Sequence, residues 1–194
     1  MRKLTAFSGL ALSLLVLAGA GCLGNSTPRP TDPNGGTNGS NENAVTAAKT
    51  YAVGEEATVG DIVHQVVSVE TMDTIPSSAT LPEWDLIAED LPAADGFTWV
   101  HIDGETTNNS KESQSLDSTS VVVLDADKNE FSVSTDTTIY VDGDKSPVYI
   151  TLQPTQTVEW EGYFQVPAAA EGLVLKGTDL DFFSEKFVLI DLGL

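Results

Sequence analysis

The sequence predicts an all-β fold, an antiparallel β-sandwich over residues 51–194, and two observations carry that expectation. Apolar residues recur with a period of two in many short runs, and clusters of Gly, Pro, Asp and Asn punctuate those runs. The clearest run is Val158 to Val166, where Val158, Trp160, Gly162, Phe164 and Val166 fall on one side and Glu159, Glu161, Tyr163 and Gln165 on the other. Successive side chains of a strand point to opposite faces, so this pattern describes a strand buried on one side.

Further extended runs are expected at Ile62 to Val69, Phe97 to Thr107, Ser120 to Leu124, Phe131 to Thr135, Ile139 to Val141, Val148 to Leu152 and Phe187 to Leu192. Turn residues separate them at Val59-Gly60-Asp61, Asp125-Ala126-Asp127-Lys128-Asn129, Asp142-Gly143-Asp144 and Gln153-Pro154. Short strands at this spacing favour two sheets packed face to face, and an immunoglobulin-like arrangement is the leading expectation. Trp160, Phe164, Phe182, Phe183 and Phe187 are expected in the core, at positions within strands or at their ends.

One stretch departs from the pattern. Between Thr71 and Asp95, Pro76, Pro82 and Pro92 bracket Trp84-Asp85-Leu86-Ile87-Ala88-Glu89, which describes a long connection with about one helical turn. Trp84, Leu86 and Ile87 are the candidate ligand-contact residues, because an aromatic anchor on a loop is a common way to hold a partner. The alternative is that this turn folds back and caps one open end of the sandwich.

The N-terminus has the order of an export signal. Arg2 and Lys3 precede an apolar run from Leu4 to Ala18, and Gly19, Ala20 and Gly21 lead directly to Cys22. A transmembrane helix, the alternative, needs about 20 apolar residues. Residues 1–21 are therefore expected to be a signal peptide, and residues 22–50 a flexible linker rich in Asn, Gly, Thr, Ser and Pro that begins at a lipid-modified Cys22. As a coil such a linker would reach about 30 Å. Cys22 is the only cysteine, which excludes an intrachain disulfide, a cysteine metal cluster and a CxxC redox pair. Its surroundings resemble a prokaryotic lipobox, with Gly19 in place of the usual aliphatic residue. Asn25, Asn38 and Asn108 each begin an N-glycosylation acceptor pattern.

Residues 51–194 contain 27 Asp and Glu, five Lys and no Arg, a formal charge of −22. Such a surface would repel nucleic acid. The acids are spread over the whole domain, which favours the general surface of a salt-loving organism, where concentrated ions shorten the screening length to about 3 Å at 1 M and make dense like charge tolerable, over a patch for one cationic partner.

Chemistry-bearing motifs are sparse. His64 and His101 are the only histidines, and both lie in expected strands. Adjacent strands could bring them together for metal binding or acid–base work, but in the alternation around Val100 and Ile102, His101 shares the more polar face with Asp103. Asp125, Asp127 and Asn129 have the spacing that opens a calcium loop, but Glu130 stands where such loops need Gly. A polar hairpin turn accounts for them equally. No GxSxG elbow or phosphate-gripping glycine loop occurs, so no enzyme and no cofactor is expected.

From Tyr51 onward the chain resembles a family of prokaryotic extracytoplasmic immunoglobulin-like domains of unknown function, related to the immunoprotective extracellular antigens of mycobacteria and frequent in lipoproteins. The resemblance rests on Val53-Gly54-Glu55 with Ile62 to Val69, on Trp99-Val100-His101-Ile102-Asp103 running to Asn108-Asn109, and on Leu152 to Phe164-Gln165-Val166-Pro167. The family's usual Gly after Gln153-Pro154-Thr155 is missing, and the connection after Met72 is long. The resemblance implies a fold and an extracytoplasmic location, with a haloarchaeal source suggested by the charge, and it brings no catalytic residues.

The expected function is thus a lipoprotein on the outer face of the cytoplasmic membrane. Its domain would bind an envelope protein or a small ligand without catalysis. The alternatives are a structural spacer of an envelope complex and, third, a metal-dependent hydrolase built on His64 and His101.

Overall fold

Strand β6 (Phe97–Asn108) is the backbone of one sheet, because long period-two stretches flank it on both sides. It pairs antiparallel with β11 (Thr157–Pro167) from Thr107 opposite Thr157 to Phe97 opposite Pro167, and with β3 (Ile62–Met72) on its other edge. The short β2 (Ala57–Val59) completes the order β11-β6-β3-β2. These elements belong to a computed structural model that describes residues 49–77, 89–141 and 144–194.

The facing sheet has the order β1-β13-β12-β8-β9, built from Thr50–Ala52, Phe187–Asp191, Val174–Thr178, Val121–Leu124 and Glu130–Ser132. A pair formed by β7 (Gln114–Asp117) and β10 (Tyr149–Leu152) adds Leu116, Ile150 and Leu152 to the same core. The protein is an all-β sandwich, as expected. One ladder departs from the antiparallel expectation: β1 runs parallel to β13, with Thr50 opposite Leu189. The first and last strands of the domain meet at this edge, and no hairpin constrains their direction.

Between the sheets lie Ile62, Val66, Val100, Ile102, Trp160, Phe164 and Val166 from one side and Val121, Val123, Leu175, Val188 and Ile190 from the other. Each such side chain contributes about 1.5–3 kcal/mol by leaving water. Among them sits a chain of polar groups. The Trp160 indole N–H donates to Thr106 Oγ1 at 3.0 Å, that hydroxyl reaches His64 Nδ1 at 3.1 Å, and His64 Nε2 lies 2.7 Å from the Thr178 carbonyl of the opposite sheet. A carbonyl can only accept, so Nε2 carries the proton and Nδ1 accepts from Thr106. Burial holds the imidazole below its ordinary pKa, against the smaller opposing effect of the Thr178 carbonyl. His64 is therefore a neutral, fully bonded core residue.

Two glycines make room for these rings. A Cβ on Gly104 would fall within the Trp160 ring, and one on Gly177 would come within 2.7 Å of His64 Cδ2.

Three expectations are corrected. The run Ile139 to Val141 is not a strand: Thr135–Tyr140 forms a 3-10 turn, closed by Thr137 and Thr138 hydroxyls donating to the carbonyls of Ser134 and Thr135 at 2.7 and 3.0 Å. The second concerns Phe182 and Phe183, which stand in solvent at 91 % exposure each, while Phe187, the first residue of β13, is 40 % exposed. Third, β12, β7, β1 and β2 all form where no strand was expected, being short or interrupted by polar residues and Gly177.

The expected long connection is described only at its two ends. There β4 (Thr74–Ile75) pairs with β5 (Leu91–Pro92) over the outer side of the β11-β6-β3 sheet. Ile75, Trp99, Tyr140, Val141 and Tyr163 form a second small core beneath it. Trp99 Nε1 donates to the Leu91 carbonyl at 3.2 Å and Tyr140 Oη to the Glu89 carbonyl at 2.6 Å. Among the described residues no helix is long and apolar enough to cross a membrane.

Thr106→Val keeps the shape of the side chain but strands the indole N–H and His64 Nδ1, and should lower the unfolding free energy by about 1–3 kcal/mol per orphaned group in urea melts. Gly177→Ala should cost about 1–3 kcal/mol by overpacking against His64. His64 also sets a pH dependence. Its folded pKa lies below the ordinary 6.5, so the unfolded chain takes up the proton first. Stability is complete above pH 6.5 and falls by up to about 1.4 kcal/mol per unit as pH drops toward the lowered folded value. Compared with His64→Gln over pH 7 to 5, the wild type should lose stability faster; parallel curves would remove this role for His64.

Candidate functional site

A β-bulge decides what the solvent side of the long sheet displays. Strict alternation from Ile62 would place Ser68 inside and Val69 outside, but the register shifts between Val66 and Ser68. Val67 is extruded, 50 % exposed, and the phase of β3 reverses beyond it. Val69 then lies opposite Ile102, Ser68 opposite Asp103 and Glu70 opposite His101. Bulges commonly re-aim side chains in this way near functional sites.

Two cross-strand rows result. One is Glu70, His101 and Tyr163, and the next is Ser68, Asp103 and Glu161. His101 stacks on Tyr163 with ring centroids 4.3 Å apart and planes 16° from parallel. Its Nε2 lies 2.8 Å from Glu161 Oε1 and 3.8 Å from Asp103 Oδ1. Ser68 Oγ donates to Asp103 Oδ2. Burial raises the Tyr163 phenol pKa to about 12, helped by the charges of Glu161, Asp103 and Glu70. One ligand atom from each of His101, Asp103 and Glu161 falls within a common span of 4.8 Å, so this half-buried trio has the spacing to hold a cation.

Beside the rows is a shallow depression of about 260 Å³, floored by Gly104 and the edge of Trp160 and bounded by Val67, Asp103, Glu161 and Lys145. Lys145 Nζ pairs with Glu159 Oε2 at 3.0 Å on its rim. The site thus offers an imidazole, several carboxylates and one ammonium group, with the Tyr163 ring buried beneath the imidazole.

The two histidines are not brought together. His64 faces the core opposite Thr106, whereas His101 faces outward opposite Glu70. Sequence alternation correctly placed His101 with Asp103, but it missed Glu161, Tyr163 and Ser68; the first two are opposite partners that only the β6–β11 register reveals.

The calcium-like spacing resolves into a hairpin turn. Asp125 Oδ1 accepts the N–H groups of Asp127 and Asn129, both at 2.9 Å, and Oδ2 accepts Asn129 Nδ2 at 2.7 Å. The Asn129 side-chain donor, followed by backbone donors, holds this carboxyl below its ordinary pKa. Its oxygens are directed at N–H groups within the turn. Lys128 occupies a positive φ of 66° at the turn.

Asn108, a candidate glycosylation residue, is fully buried, and its Nδ2 donates to the carbonyls of Glu112, Leu152 and Gln153 at 2.8, 3.2 and 3.3 Å. The expectation of a glycan there is corrected: the folded domain has no space for one on that nitrogen. Cys22, Asn25, Asn38, Trp84, Leu86 and Ile87 lie outside the described residues.

No family model matches the chain, and no curated protein matches it. Solved structures do share its fold. The yjhA protein of Bacillus subtilis aligns with a TM-score of 0.52 and 13 % identity over 73 % of this chain and 98 % of its own. The Bacillus subtilis protein ycdA, described as a candidate lipoprotein, aligns with a TM-score of 0.49 and 16 % identity over 72 % of this chain and 39 % of its own. An uncharacterized β-sandwich protein of Clostridium difficile aligns with a TM-score of 0.43 and 14 % identity, over 75 % and 95 % of the two chains. At this identity the likeness with yjhA concerns fold alone.

The geometry around Tyr163 makes one spectroscopic expectation. In an absorbance titration of the four tyrosines, one phenol should stay protonated until about pH 12, and Glu161→Gln with Asp103→Asn should move its midpoint part of the way back toward 10. A raised folded pKa also means that stability is complete below pH 10 and is lost as pH climbs toward 12. A Tyr163 midpoint near 10 would contradict the packing described.

Proposed function

We propose that the chain is an exported lipoprotein, held on the outer face of the cytoplasmic membrane through Cys22, whose sandwich is a non-enzymatic binding module of the cell envelope. The observation that carries the binding part is the rigid constellation of Ser68, Glu70, His101, Asp103, Glu161 and Tyr163 on the open face of the long sheet. A cluster of carboxylates around an imidazole complements a cationic group on a ligand or partner. The order Arg2-Lys3, Leu4 to Ala18, Gly19-Ala20-Gly21 and Cys22 supports export and anchoring. The resemblance to extracytoplasmic immunoglobulin-like domains supports the same location.

Catalysis is not part of the proposal. His64, which a hydrolase on two histidines would require, is bonded on both ring nitrogens inside the core.

Two measurements test the two halves. Comparing wild type with Cys22→Ser in the native host, fractionation and intact mass should show a membrane-bound, lipid-bearing wild type and a released or unprocessed variant. Identical behaviour would overturn anchoring. For binding, wild type should retain an envelope component at native salt that His101→Ala with Glu161→Ala loses by roughly ten-fold or more, the loss expected for desolvated contacts worth about 1.4 kcal/mol or more. Equal retention by both proteins would overturn the assignment of the binding face.

A further inference from the structure

The turn that joins β12 to β13 displays apolar surface and is built to do so. Phe182 and Phe183 are each 91 % exposed and touch edge to face, with centroids 5.4 Å apart and planes at 90°. The segment beneath them is tied down at several points. Leu180 packs against the main core with a φ of 61°. The Phe183 N–H donates to Asp181 Oδ1 at 3.0 Å, the Ser184 N–H to the Asp181 carbonyl at 2.9 Å, and Ser184 Oγ to Asp179 Oδ2 at 2.7 Å. The two rings are thus presented outward from a bonded base, adjacent to each other and directed away from the core.

Their position in the fold supplies an occupant. Because β1 and β13 run parallel with Thr50 opposite Leu189, the chain before Thr50 leaves the sandwich at the end where Phe187 begins β13. The Phe182–Phe183 turn occupies that same end, between Thr178 and Phe187. Residues 23–48 therefore join Cys22 to the end that carries the exposed rings. If that segment is the flexible linker its composition predicts, it would reach about 30 Å and would keep this end within touching distance of whatever holds Cys22.

We propose that Phe182 and Phe183 form a membrane-docking wedge that enters the interfacial layer of the bilayer to which Cys22 tethers the chain. The proposal rests on the lipoprotein reading above. Aromatic rings favour the boundary between headgroups and acyl chains. Two rings give weak affinity by themselves, but the tether makes docking intramolecular, with an effective concentration in the millimolar range for short flexible linkers. Electrostatic attraction contributes little: Asp179, Asp181 and Glu185 accompany Lys186 on the turn, and the whole domain is acidic. Docking is consequently driven by apolar burial and should persist, or strengthen, at high salt.

The test uses the full-length lipidated protein in phosphatidylcholine vesicles whose acyl chains carry bromine. Phe183→Trp places a fluorophore in the wedge, and Asp127→Trp places one in the β8–β9 turn at the opposite end, with the wild-type signal subtracted from both. The wedge indole should shift to the blue and be quenched roughly two-fold or more, since interfacial groups sit about 5–10 Å into the boundary, whereas the control indole should respond to neither. Adding Phe182→Ser should reverse most of the wedge response. Equal responses at the two ends, or none at the wedge, would overturn the proposal. A blue shift without vesicles that grows with protein concentration would assign the rings to a second copy and likewise overturn it. Anchoring is read separately from the mass at Cys22: a lipid-bearing, membrane-bound protein with an unquenched wedge leaves the anchor and removes the docking, and an unlipidated chain that is still quenched does the reverse.

Discussion

The sandwich depends on one line of polar contacts crossing its apolar interior. Trp160, Thr106, His64 and the Thr178 carbonyl link three strands of one sheet to the end of the middle strand of the other. Apolar packing alone is non-directional, and either sheet could slide by one pleat and still bury Val, Ile and Leu. The His64 contact does not tolerate that slide. A shift would leave a buried imidazole nitrogen and a buried carbonyl unpaired, each with a desolvation cost of about 1–3 kcal/mol. Among the described residues no buried side-chain nitrogen or oxygen lacks a partner, so this line is fully satisfied. Gly104 and Gly177 belong to the same constraint, because the two rings fit only where backbone stands in place of a Cβ.

Fixing the interior also fixes the exterior. Trp160 lies on the inner face of β11, so its neighbours Glu159 and Glu161 must face outward. The bulge at Val67 then brings the end of β3 into phase with β6, and its outward residues become Ser68 and Glu70. Without it, Val69 would face solvent beside His101 and the carboxylates would lose a serine donor. The candidate site is therefore assembled by a one-residue irregularity seated directly above the most constrained part of the core. Its other boundary is the small second core, in which Ile75, Trp99 and Tyr140 cover the remaining solvent side of the sheet and leave His101 and Tyr163 at the edge of the cover.

The long strands were legible in the sequence because their period-two pattern spans many residues: β6 and β11 were expected within one residue of each observed end, and the side assigned to every residue of Val158 to Val166 was right. Short strands were legible only where an apolar run marked them: β8, β9, β10 and β13 were expected, and β1, β2, β7 and β12 were not. In β12, Lys176 and Gly177 interrupt the apolar pattern, and the reason for Gly177 is a ring from another sheet. Ile139 resembled a strand residue because β-branched side chains favour strands, but threonine hydroxyls bonded to nearby carbonyls favoured a turn. Phe182 and Phe183 were expected in the core on hydrophobicity alone. Composition says that such rings favour burial and cannot say what will bury them. The site was half legible: alternation joined His101 to Asp103, while Glu161 and Tyr163 needed a register set by residues far away in the chain.

The two proposed surfaces place the domain consistently relative to a membrane. Asn108, Ile62 and Thr178 lie toward the end from which the tether leaves, and His101 stands seven positions along β6 from Asn108. At about 3.3 Å per residue, the His101–Tyr163 stack sits some 23 Å above that end. With the phenylalanine wedge seated in the interface and the strands rising from it, the binding face would be turned sideways, clear of the headgroups. Docking would then restrict the rotation that a flexible tether otherwise permits. A partner at a set height above the bilayer would meet an oriented face, so less orientational freedom is lost on binding. The wedge would serve recognition by holding the site in position, without contacting the ligand itself.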